Sequence, residues 1–400
     1  MCLRNKVEDD ILYVTNGFYK SHYFELHLLT ITKKDIYNGK NFNPSGNAFS
    51  TLCHEYIHYL QDILTLNGLV NINNYLCYMN NLLYTRQKQI TKIPNNSFSS
   101  QDIANWNRIT QSFGKKEPKT FDVQSIKTIY PDNNENYTIS FKDGSFFQIG
   151  TIHILEGMAA LGQKIIKHAK KDNHYLNPYL IIYIITKNFY QAKIDDLLLF
   201  ALCEVALTSN NPMLSFIQLL EICKDSKIDS FDKFLNFLIK CDNFNSARAK
   251  YNDFIDIVIG MMDKVFNDEM KEPREEFKTI LNRCKQRQKS VILPITDFVK
   301  NMYSNPDTTF MKALSDIGEP NFFIKNVAFT FIKTPLDNGS LNYCAFRNII
   351  NNLDCPTRDC CDLKFCQYRD TKCDNRVHEK ILDDYGCAYC NIWKSYNLKI

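Results

Sequence analysis

Apolar and polar positions follow two different periods along this chain. Between Phe49 and Leu66 the period is helical. Wound at about 100° per residue, Phe49, Leu52, Cys53, Tyr56, Ile57, Leu60, Ile63 and Leu64 form one apolar stripe. His54, His58, Gln61 and Thr65 gather on roughly the opposite side, away from the stripe expected to face the core. Asn67-Gly68 is a C-terminal stop signal for this helix. Upstream, "ILYVTNG" (11–17) and "HYFELHLLTI" (22–31) are β-branched and aromatic runs that predict strands, with a turn at Asn16-Gly17.

Downstream, residues 69–150 read as an insertion. A helix is expected around Asn71 to Lys92 and a shorter one near Ile103 to Phe113, followed by strands in "TFDVQSIKTIY", "YTISF" and "SFFQIG". From Thr151 to about Arg287 the spacing is mostly helical, with Pro178, Pro212 and Pro273 as interruptions. "FFIKNVAFTFIKT" fits either a late strand or a buried helix. The expected fold class is α+β, predominantly helical. Residues 1–340 form one domain carrying the insertion, and residues 341–400 form a small Cys-rich segment.

Composition narrows this picture only modestly. The chain has 400 residues, 44% of them hydrophobic and 13% aromatic, enough for a sizeable core. Its formal charge of +4 gives no strong case for nucleic acid or an anionic membrane as partner. The longest apolar runs, Tyr179 to Thr186 and Leu197 to Leu207, fall short of the roughly 20 residues needed to span a bilayer. No secretory signal is seen, so a cytoplasmic location with reduced thiols is expected.

The polar side of the first helix carries the chemistry. His54, Glu55 and His58 stand in the order His-Glu-x-x-His. Residues four apart share a helical face, so two imidazoles can reach one tetrahedral Zn²⁺. Glu55, rotated off that line, is suited to take a proton from water activated by the metal. Such a site needs a third ligand. The H-E-x-x-H-x-x-G-x-x-H form is excluded, because Gln61 stands at the glycine position and Leu64 at the last histidine. Glu156, in "TIHILEGMAALGQKII", is a carboxylate among apolar and small residues, where a bare charge is costly without a partner. Its competing reading is an ion pair with Lys164 or Lys167. Glu204, in "LLLFALCEVALT", is a second candidate. It would orient a ligating histidine from behind, replace Glu156 as ligand, or join an unrelated ion pair. Asp62 reads as a solvated helix residue. His168, His174, Tyr179 and Tyr183 are chemically suited to donate to an oxyanion.

"HEYIH" followed by "LEGMA" resembles the paired motifs of the gluzincin metallopeptidases, a zincin-like fold. The resemblance implies His54, His58 and Glu156 as zinc ligands and Glu55 as general base. It covers two short stretches within residues 38–170. Nearly a hundred residues separate the two motifs here, where those enzymes have a short connection, and no G-A-M-E-N motif is present. The expectation is a zinc-dependent hydrolase acting on a peptide or protein. The alternative is a non-catalytic zincin-like protein that binds partners through its tail.

That tail holds Cys355, Cys360, Cys361, Cys366, Cys373, Cys387 and Cys390. Cys387-Ala-Tyr-Cys390 has the knuckle spacing of a structural zinc site, and the other cysteines offer a pair to complete it. An iron–sulfur cluster and plain reduced thiols remain open.

Overall fold

The computed structural model describes residues 17–20, 24–29, 37–38, 41–42, 47–88, 123–129, 136–167, 179–189, 194–265, 271–324 and 327–329. The Cys-rich tail and the helix expected near 103–113 lie outside them. The described residues are predominantly helical. A mixed sheet comes first: strands β1 (Gly17–Lys20) and β2 (Glu25–Leu28) pair antiparallel. Gly17 therefore opens a strand, and the strand expected over 11–16, with Asn16 of the expected turn, lies outside the described residues. A side chain at Gly17 would press to 2.9 Å from the His27 carbonyl. A two-residue ladder, β3 (Tyr37–Asn38) with β4 (Asn41–Phe42), leads into the histidine-bearing helix α1 (Asn47–Leu64).

The stop signal at Asn67-Gly68 marks a corner rather than an exit. Helix α2 (Leu66–Lys88) starts almost at once and runs through both residues. Thr65 serves both helices: its hydroxyl donates to the Gln61 carbonyl at 2.6 Å and accepts from the Gly68 amide at 3.1 Å. This is an N-cap on α2 that also closes the last turn of α1. The end of α1 is sealed from elsewhere too. The Tyr251 hydroxyl donates to the Ile63 carbonyl and the Gln288 amide to the Leu64 carbonyl, each at 2.7 Å.

The inserted strands β5 (Val123–Ile129), β6 (Asn136–Phe141) and β7 (Phe146–Ile149) form an antiparallel meander close to the expected positions. It delivers the chain to helix α3 (Thr151–Lys167). Eight further helices follow among the described residues: α4 (Ile181–Phe189), α5 (Asp196–Ala206), α6 (Pro212–Asp225), α7 (Phe231–Ile239), α8 (Asp242–Val265), α9 (Lys271–Ser290), α10 (Pro294–Ser304) and α11 (Pro306–Asp316). Pro212 begins α6, where a missing amide costs nothing, and Pro273 lies inside the first turn of α9. The ambiguous late segment is strand: β8 (Asn321–Ile324) pairs parallel to β2 and antiparallel to β9 (Val327–Phe329).

Helix α1 lies at the centre. It packs against α2, α3, α9, α10 and the sheet strands β1 and β2. Phe49, Leu52, Cys53, Tyr56, Ile57, Leu60 and Ile63 are fully buried, as their stripe predicts. The polar side is buried as well: Gln61 and Thr65 are only 1% exposed and Asp62 8%. Two glycines let α3 come close. A side chain at Gly162 would stand 2.4 Å from Ile57 on α1, and one at Gly157 would stand 2.9 Å from Ile182 on α4.

Gly68 offers a test in which two effects oppose each other. Helix propensity favours alanine over glycine by about 1 kcal/mol. At Gly68, however, a Cβ would lie 2.3 to 2.4 Å from backbone atoms of Asp62 and Gln61, which cannot swing aside. Sterics should win, and Gly68→Ala should destabilise the protein by about 2 kcal/mol or more. Chemical denaturation checks this, and a stabilised variant would refute the corner geometry.

Candidate metal centre

Helices α1 and α3 bring three ligand-type side chains together. His54 and His58, one turn apart, stand with ring centroids 5.0 Å apart and planes 78° from parallel. Glu156, in the second turn of α3, reaches both: its Oε2 lies 3.7 Å from His54 Nε2 and 3.4 Å from His58 Nε2. All three ligand atoms lie within 4.8 Å of one another.

These separations carry information. A charge-assisted N–H···O bond contracts to about 2.7–2.9 Å. Donor atoms on a tetrahedral Zn²⁺ with bonds of about 2.0–2.1 Å stand roughly 3.3–3.4 Å apart. The observed distances are nearer the second figure. Two neutral imidazoles and one carboxylate also form a donor set suited to zinc. The competing pairing of Glu156 with Lys164 does not occur, because Lys164 Nζ lies 2.8 Å from Asp196 Oδ2 on α5.

Burial and charge oppose each other here. Burial alone would discharge both partners. For Glu156 the two imidazoles, His58 foremost, overcome that penalty and hold the carboxyl below its ordinary range. For His58 the nearby Glu156 likewise outweighs burial and lifts the ring to about 9. Glu55, 6% exposed, responds in the other direction. Its burial raises the carboxyl's proton affinity, the two histidines offset part of the rise, and Glu156 adds to it. A carboxylate with raised proton affinity is the better base near neutral pH.

The surroundings differ from what the helical wheel suggests. Asp62 is buried rather than solvated, and accepts a hydrogen bond from the Tyr19 hydroxyl at 2.9 Å. Tyr19, on β1, also lies nearly parallel to the His58 ring, at 12° and 6.4 Å. Gln61 accepts from His58 Nδ1 at 2.8 Å and donates to the Leu155 carbonyl at 3.0 Å. The sequence placed Gln61 on the histidine face, but nothing local announced Tyr19, which arrives with a strand some forty residues upstream.

Of the oxyanion donors suggested by sequence, Tyr179 is the one brought to the site among the described residues, its ring 6.0 Å from His54. Burial, then the charges of Glu156 and Glu55, push its hydroxyl pKa up, so it stays protonated. Tyr183 instead joins the Lys164–Asp196 pair. His168 and His174 lie outside the described residues.

Glu204 requires a correction. Rather than supporting a histidine, its carboxylate accepts from the Ile295 amide at 3.0 Å, the Thr296 amide at 2.7 Å and the Thr296 hydroxyl at 2.6 Å. It closes the N-terminus of α10, where free amides and the helix dipole favour a negative group. An apolar helix with one acid looks alike whether the acid meets a metal or another helix's amides.

Compared with family models, curated proteins and solved structures, the chain matches none. The case for the site therefore rests on its own geometry.

The raised His58 and the lowered Glu156 set the pH behaviour of metal-stripped protein. Glu156 contributes above its unfolded value of 4.5, and that contribution is lost as pH falls below it. His58 contributes fully below its unfolded value of 6.5, and loses its contribution as pH rises through about 9. Stability should be greatest between these limits and fall by at most roughly 3 kcal/mol towards pH 10. Urea titrations across pH check this. His58→Gln should flatten the alkaline limb, and an unchanged limb would refute the pairing.

Proposed function

We propose that this protein is a zinc-dependent hydrolase that cleaves peptide or related amide bonds. The observation that carries the reading is the convergence of His54, His58 and Glu156 from two helices, with the buried Glu55 between the two histidines in sequence. The order and type of these residues support a zincin-like site of the gluzincin kind. Among the described residues, no helix is long and apolar enough to cross a membrane.

His54 and His58, through Nε2, and Glu156, through a carboxylate oxygen, would hold the ion. Zinc bound there supplies Lewis acidity, lowering the pKa of water towards about 7 and polarising a carbonyl. Glu55 would accept the proton of an attacking water. It then carries the proton towards the departing amine, which cannot leave as an anion. Its burial keeps bulk water from competing for that proton. Tyr179, held protonated, donates to the oxygen that gains charge as the carbonyl becomes tetrahedral.

Glu55→Gln keeps the shape of the side chain and removes the base. Zinc at the site should be retained, while cleavage of a broad peptide library falls at least about 100-fold. Tyr179→Phe should lower kcat by about 100-fold with a smaller effect on KM, as the loss of a donor acting in the transition state requires. Wild-type protein that holds zinc through the histidines yet cleaves nothing would overturn the hydrolase reading and favour the interaction protein.

A further inference from the structure

We infer that Gln61 is a positioning residue that fixes the protonation of His58 and ties it to the helix bearing Glu156. The inference rests on the metal-site part of the proposed function and needs no assumption about the reaction.

The argument starts at the Leu155 carbonyl. A backbone carbonyl can only accept, so the Gln61 group 3.0 Å from it must be the NH₂ end of the amide. The other end is then the carbonyl oxygen, which can only accept, and it stands 2.8 Å from His58 Nδ1. His58 Nδ1 must therefore carry a proton. When the ring is neutral, its lone pair is left on Nε2, the atom 3.4 Å from Glu156. One amide orientation thus determines which nitrogen can bind a metal.

Position matters as much as orientation. Leu155 directly precedes Glu156, so the amide that orients one ligand also grips the backbone beside another. Gln61 is 1% exposed, so water does not compete for either bond. The distances between His58, Gln61 and Leu155 set how far apart α1 and α3 stand at the level of the site. His54 has no such brace: its Nδ1 is buried and has no hydrogen-bond partner among the described residues. The two histidines are therefore unequal, with His58 the one oriented in advance. Metal-binding histidines are commonly oriented by carboxylates or carbonyls from elsewhere in the fold. Here a side chain three residues along the same helix does it, and reaches the second helix as well.

Two substitutions in the full chain separate this role from simple packing. Gln61→Met preserves length and removes both hydrogen bonds. Gln61→Glu keeps an acceptor for His58 Nδ1 but loses the donor to Leu155 and buries a charge. The first readout is the His58 tautomer, from ¹⁵N-labelled histidine spectra of metal-stripped protein at pH 10, with His58→Gln for assignment. The second is cobalt affinity of the histidine pair, taken as the difference from His54→Gln/His58→Gln so that tail cysteines cancel.

Wild type should hold the proton on Nδ1. Gln61→Met should release it to Nε2 and weaken cobalt by about 10- to 100-fold. Gln61→Glu should keep the Nδ1 tautomer and bind cobalt more tightly than Gln61→Met. A packing role alone would make the glutamate variant, with its buried charge, the worse of the two. An Nε2-protonated wild type, or a Gln61→Met variant with wild-type tautomer and affinity, would overturn the inference. If wild type binds no cobalt through the pair, the hydrolase reading fails, and the tautomer comparison still decides the role of Gln61.

Discussion

Two helices can share a site the size of one ion only when their backbones come close and the polar groups between them are compensated. In this protein α1 and α3 meet that requirement together. Gly162 gives α3 room beside Ile57. Gln61 bridges His58 and Leu155 across the gap. The triad of His54, His58 and Glu156 lies in the same seam, where burial makes an uncompensated carboxylate costly. Remove the approach and the ligands part; remove the compensation and the seam holds a stranded charge.

The same rule organises the rest of α1. A helix enclosed on most sides has little water to satisfy its polar residues, so most must find a protein partner, although His54 Nδ1 has none among the described residues. Asp62 finds Tyr19 from β1. The final carbonyls find Thr65, Tyr251 and Gln288, the last two from helices almost two hundred residues or more downstream. The fold around the site is largely the set of elements needed to close these bonds. Glu204 shows the principle away from the site, where a buried acid is held by the amides that begin α10.

Much of the candidate site was legible because its signals are local. The spacing of His54 and His58, the apolar stripe from Phe49 to Leu64, and the small residues flanking Glu156 all belong to single helices whose period is fixed. The enclosure of the polar face was not legible. It depends on which strand lands on α1, and a helical wheel holds no record of Tyr19. Gly68 misled for a related reason. Glycine marks a place where the backbone approaches something closely, whether a helix ends there or another begins. Glu204 was misread because an acid's chemistry does not reveal whether its partner is a metal ligand or a helix terminus. The seven tail cysteines, Cys355 to Cys390, stand apart from these comparisons, as they lie outside the described residues.

The central claim is that one divalent ion sits between α1 and α3. Zinc per chain, measured by equilibrium dialysis and elemental analysis of full-length wild type and of His54→Gln/His58→Gln, tests it directly. Zinc bound elsewhere in the chain is common to both proteins and cancels in the difference. The geometry predicts that wild type holds one more zinc per chain than the double variant. Equal zinc in the two folded proteins would contradict it.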